Sequence, residues 1–174
     1  MNIGMKKRAV VMSLVFSFFA SLVSAATIDL PDGSKLDLSQ TCPVCDMKLE
    51  SSELGVAAIV FEDGKVVGFD AAGDLFRYYF THEKYHSDSA KIKNVYVTDY
   101  GTKKLIDAKQ AIYVLGAKLK AAMGPEAFPF ADKAAAEKFK SDHNGKKIAS
   151  FSEVSLEDLT VKKKTLKMDR GHNH

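Results

Sequence analysis

The sequence predicts an α+β protein built from two consecutive ββαβ units. Three observations predict it: a hairpin signal between residues 56 and 69, an amphipathic helix directly after it, and a later stretch in which the same order of elements recurs.

The chain opens, after its first 25 residues, on an extended lead from Ala26 to Asp37 with the turn signal Pro31-Asp32-Gly33. The sulfur-rich loop TCPVCDMKLE follows from Thr41 to Glu50. Val56 to Phe61 is an apolar, β-rich run, and the Asp63-Gly64 turn folds it into a hairpin with Val66 to Phe69. Residues 71 to 82 place Leu75, Phe76, Tyr79 and Phe80 on one helical face, and these aromatics together with Tyr78 read as core. A polar loop with Ser87, Asp88 and Ser89 leads to a strand over residues 92 to 98, in which Val95 and Val97 share a face. Residues 111 to 116 and 127 to 130 then supply two further strands. Asp132 caps a helix from Ala134 to Asp142, Asn144-Gly145 stops it, and Lys147 to Phe151 forms the last strand. A unit of roughly 50 residues has little core of its own, so the two should pack together. The predicted divisions are 1–25, 26–54 (lead and sulfur loop), 55–106 and 107–154 (the two units), and 155–174, a charged tail containing His172 and His174.

With 174 residues, 46% hydrophobic and 27% charged, the chain can bury a real core. Lys6, Lys7 and Arg8 precede an apolar run ending in Ser24-Ala25-Ala26, the pattern of a signal peptide cleaved after Ala25. That run is short for a membrane span, which needs about 20 apolar residues. Removing it takes the net charge from +3 to zero, and a neutral protein carries no general footprint for nucleic acid. Lys162, Lys163, Lys164, Lys167 and Arg170 read as a solvated tail. The expectation is a soluble, exported, periplasmic protein.

Cys42 and Cys45 are the whole cysteine complement. As a CxxC pair in an exported protein they could form a structural disulfide or serve a thiol-disulfide oxidoreductase. A thioredoxin-like motif belongs between a strand and a helix, however, and the segment before Cys42 is polar and turn-rich. A zinc-stabilised module would need two further ligands, and His82 and His86 offer them only after 36 intervening residues. His143 lies in a helix C-terminal turn, where the macrodipole favours its cationic form. Met47 shifts the balance. On an extended backbone Cys45 and Met47 would share a face, and thiolate with thioether suits Cu(I) far better than zinc. Met123 stands in the turn-forming stretch Ala121-Ala122-Met123-Gly124-Pro125-Glu126, where a core methionine is less expected. Asp70, Asp74, Asp99 and Asp107 read as caps, turns or surface. No nucleophile elbow, phosphate loop or dinucleotide fingerprint is present, which predicts a binding protein and not an enzyme.

The ordered set Cys42-x-x-Cys45-x-Met47, Asp63-Gly64, Val97-Thr98-Asp99-Tyr100, Ala111-Ile112-Tyr113-Val114, Met123-Gly124-Pro125-Glu126-Ala127-Phe128, Ala135 to Phe139, Asn144-Gly145 and Phe151 resembles the NosL family of nitrous-oxide-reductase accessory proteins. The likeness spans roughly residues 40 to 154. It implies a Cu(I) chaperone of the cell envelope, built from two ββαβ units, whose partner is nitrous-oxide reductase or its membrane-bound maturation machinery. It also implies a ligand set: Cys45 and Met47 from the C-x-M pair and Met123 from the second unit, with Cys42 as a fourth sulfur, a resolving thiol or an oxidation partner of Cys45. Many similar proteins are lipoproteins with a cysteine at the cleavage point. Ser24-Ala25-Ala26 offers none, so no lipid anchor is expected.

Overall fold

The structure, a computed structural model, describes residues 26–81, 91–119, 121 and 124–160. The expected signal segment, His82, His86, Met123 and the basic tail with His172 and His174 lie outside the described residues. Among the described residues no helix is long and apolar enough to cross a membrane.

The lead is not a single extended segment. Strands β1 (Thr27–Asp29) and β2 (Lys35–Asp37) pair antiparallel as a small hairpin, because Leu30 and Ser34 close the Pro31-Asp32-Gly33 turn with a 2.8 Å backbone bond. The first unit holds β3 (Ala57–Phe61), β4 (Val66–Phe69), α1 (Ala72–Thr81) and β5 (Ile92–Thr98), as the hydrophobic pattern predicts. A three-residue strand, β6 (Leu105–Asp107), extends its sheet to the order β4-β3-β5-β6. Its brevity left no periodicity to read. The second unit holds β7 (Ile112–Leu115), β8 (Ala127–Phe130), α2 (Lys133–Asp142) and β9 (Lys147–Ser150), with sheet order β8-β7-β9. Asp132 caps α2 as expected, accepting a 2.8 Å bond from the Ala135 amide. At the other end Asn144 adopts a positive φ of 52° beyond His143, which terminates the helix.

The alternation of β7 shows how the units stack. Tyr113 and Leu115 point into the main core with the first sheet and α1, whereas Val114 points the other way, onto Phe128, Phe130, Ala136 and Phe139 beneath α2. The second sheet is therefore covered on both faces, by α2 outside and by the first unit inside. Helix α1 shares this position: it packs on β3 and β4 on one side and on β8 and the 3-10 turn Leu156–Leu159 on the other. Its buried residues accordingly include Gly73, Asp74 and Tyr78 beside Leu75 and Phe76. Of the aromatics expected in the core, Tyr78 is 1% exposed as expected, whereas Phe80 is 39% exposed at the helix end. A helix held between two layers cannot be sorted by a single apolar stripe.

Candidate metal centre

The sulfur loop is a closed turn. Thr41 and Lys48 form an isolated antiparallel bridge. Inside it the Cys42 amide donates to the Met47 carbonyl at 2.8 Å, and the Asp46 amide donates to the Cys42 carbonyl at 3.0 Å. Closing so tight a turn puts Asp46 at a φ of 59°, in the left-handed region that aspartate tolerates better than most residues. The segment Cys45-Asp46-Met47 is thus not extended, and the alternation rule does not apply to it.

The loop is seated against the edge of the first sheet. The side-chain amide of Gln40 donates to the Val66 carbonyl at 3.4 Å and accepts from the Gly68 amide at 3.2 Å. Gly68 is required at this contact, since a Cβ there would lie 2.2 Å from Leu49 Cδ1 and 2.7 Å from Leu36 Cδ1. With Leu36, Leu49 and Cys42 all buried, the loop is part of the core, and Cys42 is fixed within it.

Seating the loop on β4 brings it to the strand's exit into α1, where Asp70 and Asp74 stand. Asp70 follows the last residue of β4, and Asp74 lies in the first turn of α1, where the helix dipole favours a carboxylate. Cys45 Sγ lies 3.0 Å from Asp70 Oδ1, and Cys42 Sγ lies 3.8 Å from Asp74 Oδ2. One donor atom from each of these four residues falls within 4.8 Å of every other. Both cysteines are free thiols. Burial pushes both thiols up from their ordinary range, and for Cys45 the Asp70 carboxylate adds to the effect. Burial and the neighbouring Asp70 raise Asp74 as well, against the opposing pull of Arg77.

Beside the cluster is a cleft of about 290 Å³, lined by Met47, Leu54, Asp70 and Asp74 from the first half and by Ala121 and Glu126 from the second. Met47 thus lines the same cleft as both carboxylates. Of the four sequence-predicted site residues, Cys42 and Cys45 stand in the cluster and Met47 lines the cleft beside it. Met123 lies outside the described residues, although Ala121, two positions before it, lines the same cleft. The zinc alternative through His82 and His86 likewise falls outside them.

Asp70 and Asp74 are the residues that sequence reasoning missed. Taken as cap or surface groups, they are 7% and 1% exposed. A signal was available: two aspartates four positions apart flank Gly73, and a glycine inside a helix marks close packing. Asp99 and Asp107 fit their expected turn roles, accepting from the Thr102 and Lys109 amides at 2.7 Å each. His143 is the C-cap of α2, as expected.

Two stacked ββαβ units with two thiols and two carboxylates converging beside their seam define a small α+β protein with a donor set suited to a metal ion. The chain belongs to the NosL family, whose model matches residues 34–159. The crystal structure of the copper chaperone NosL from Shewanella denitrificans is 27% identical, with a TM-score of 0.58, over 68% of this chain and 92% of that one. The solution NMR structure of the apo-NosL protein from Achromobacter cycloclastes is 24% identical, with a TM-score of 0.48, over 63% of this chain and 92% of that one. No curated protein matches the chain.

Proposed function

We propose that this protein is an exported Cu(I) metallochaperone of the periplasm that supplies copper for the copper-sulfide centre of nitrous-oxide reductase. The observation that carries the reading is the convergence of Cys42 and Cys45 with Asp70 and Asp74 within 4.8 Å, beside a cleft lined by Met47. Thiolate and thioether donors select Cu(I) by softness. Membership of the NosL family, and likeness to the crystal structure of a copper chaperone, support copper. The signal-peptide pattern of residues 1–25 supports export, and the reductase partner follows from the family resemblance.

In this reading Cys45, Met47 and Met123 bind the ion, Cys42 adds a second thiolate, the displaced thiol protons leave to solvent, and the carboxylates of Asp70 and Asp74 hold the thiols in place. Delivery is ligand exchange. The half-buried Cys45 and the open cleft leave one side of the ion free for a partner's donors, and no acid, base or nucleophile is required. The direction of the thiol shifts weighs against an oxidoreductase, which needs a lowered thiol pKa.

Anaerobic Cu(I) titration against a competing chelator tests this. Wild type should bind one equivalent, and Cys45→Ser, Met47→Ala and Met123→Ala should each weaken binding. Unchanged affinity in both methionine variants would remove the proposed ligand set. Catalytic disulfide exchange by the copper-free protein would replace the chaperone reading with an oxidoreductase.

A further inference from the structure

We propose that Arg77 is a positioning residue of the metal centre, one that fixes which oxygen of Asp74 faces the sulfurs by tying that carboxylate to the second half of the molecule. The proposal rests on the copper-binding reading and deepens it.

Arg77 lies one helical turn after Asp74 on α1. Its Nη1 donates to Asp74 Oδ1 at 2.7 Å, while Nη2 donates to the Pro125 carbonyl at 2.7 Å and to the Leu159 carbonyl at 3.0 Å. Pro125 belongs to the turn entering β8, and Leu159 ends the 3-10 turn that packs on α1. One guanidinium thus joins three segments that are remote in sequence. The planar fork supplies such divergent donors in fixed directions, which a lysine ammonium does not. Asp74 is 1% exposed and Arg77 16%, so water does little to weaken the arrangement.

The occupancy of the carboxylate is what bears on the metal. Oδ1 is engaged by Arg77, and Oδ2 is the atom that faces Cys42 Sγ. Rotation of the Asp74 carboxylate is blocked from one side, so a single oxygen is presented to the thiols. A second contact holds the same helical turn from the other direction. The Gly73 amide donates to Glu126 Oε1, which also accepts from the Ala127 amide at 2.8 Å. A Cβ at Gly73 would meet Glu126 Oε1 at 2.6 Å, so glycine is what allows this approach. The place of Asp74 is therefore set by the seam between the units and not by α1 alone. Arg77 touches neither thiol and acts through Asp74.

The test is anaerobic Cu(I) competition on the exported chain with Arg77→Lys, Arg77→Gln, Asp74→Asn and the double variant Arg77→Lys/Asp74→Asn. Each Arg77 variant should weaken Cu(I) binding by about 10- to 100-fold, the usual range for residues that orient metal ligands. The double variant should be no weaker than the weaker single, because both changes remove the same oriented oxygen. Asp132→Ala, which loosens α2 far from the cluster, should bind as wild type does and so separates positioning from general destabilisation. Wild-type binding with an unaffected Arg77→Lys, or additive losses in the double variant, would overturn the role of Arg77 alone. A wild-type chain that fails to compete for Cu(I) would overturn the copper reading and this role with it.

Discussion

Cys45 Sγ donates to Asp70 Oδ1 across 3.0 Å, which joins the sulfur loop to the strand-to-helix junction of the first unit. A carboxylate at that distance opposes a negative charge on sulfur. Asp70→Asn keeps an acceptor for the S–H while removing the opposing charge, so the thiolate fraction of Cys45 should rise. Alkylation of the metal-free protein by iodoacetamide at pH 8, followed by mass spectrometry, should run about tenfold faster in the variant. An unchanged rate would mean that burial alone controls this thiol.

Copper affinity should climb with pH. The folded thiols are raised above their ordinary range by burial first and, for Cys45, by Asp70. They are protonated across pH 6 to 8, and each thiolate ligand must release one proton as Cu(I) binds. The affinity should therefore change by about one decade per pH unit for each ligating thiol. A slope near two is expected, with both cysteines as ligands. A slope of one in competition titrations would place Cys42 outside the ligand set.

The carboxyl of Glu126 is raised to about 7 from its ordinary 4.5, chiefly by burial. The folded protein thus holds this proton more tightly than the unfolded chain does. The stabilisation is present in full below about pH 4.5 and is lost as the pH rises toward 7, at about 1.4 kcal/mol per pH unit within that window. Glu126→Gln retains an acceptor for the Gly73 and Ala127 amides and carries no charge. Its urea midpoint should exceed that of wild type at pH 8 and should change less than that of wild type between about pH 4.5 and 7. Equal pH slopes for the two proteins would show that Glu126 does not titrate in this window.

Removing the α2 cap should cost stability without touching the site. Asp132 accepts from the Ala135 amide at 2.8 Å on the outer helix, away from the cysteines. Asp132→Ala should lower unfolding free energy by about 1 kcal/mol. Equilibrium denaturation should show this loss, and a drop in Cu(I) affinity beside it would mean that the two units are coupled more tightly than their packing suggests.

Elements whose cause is local were legible in the sequence. The Asp63-Gly64 hairpin, the Asp132 cap and the Asn144-Gly145 stop each depend on one or two residues and their backbone preferences, and each stands where expected. What escaped is set by contacts between distant segments. Asp74 looks like a surface residue on a helix with one apolar face, and it is buried because a second sheet covers the other face. Phe80 looks like core, yet it lies at the end of α1 and is exposed on one side while stacking on Phe76 with the other. An extended backbone would put Cys45 and Met47 on one face, whereas the turn closed around Asp46 leaves Cys45 in the cluster and Met47 lining the cleft beside it. The chemistry was visible in the residue types, and the two carboxylates that complete it were not.

The Gln40 contact carries a consequence for solubility. Strand β4 ends the first sheet, and the Val66 carbonyl and Gly68 amide on its outer side would otherwise offer a template for another chain's backbone. The primary amide of Gln40 satisfies that acceptor and that donor together, imitating one peptide group of a neighbouring strand. The stretch that leads into the thiols thereby shields the protein from sheet-to-sheet aggregation, a hazard for any sheet with an open edge.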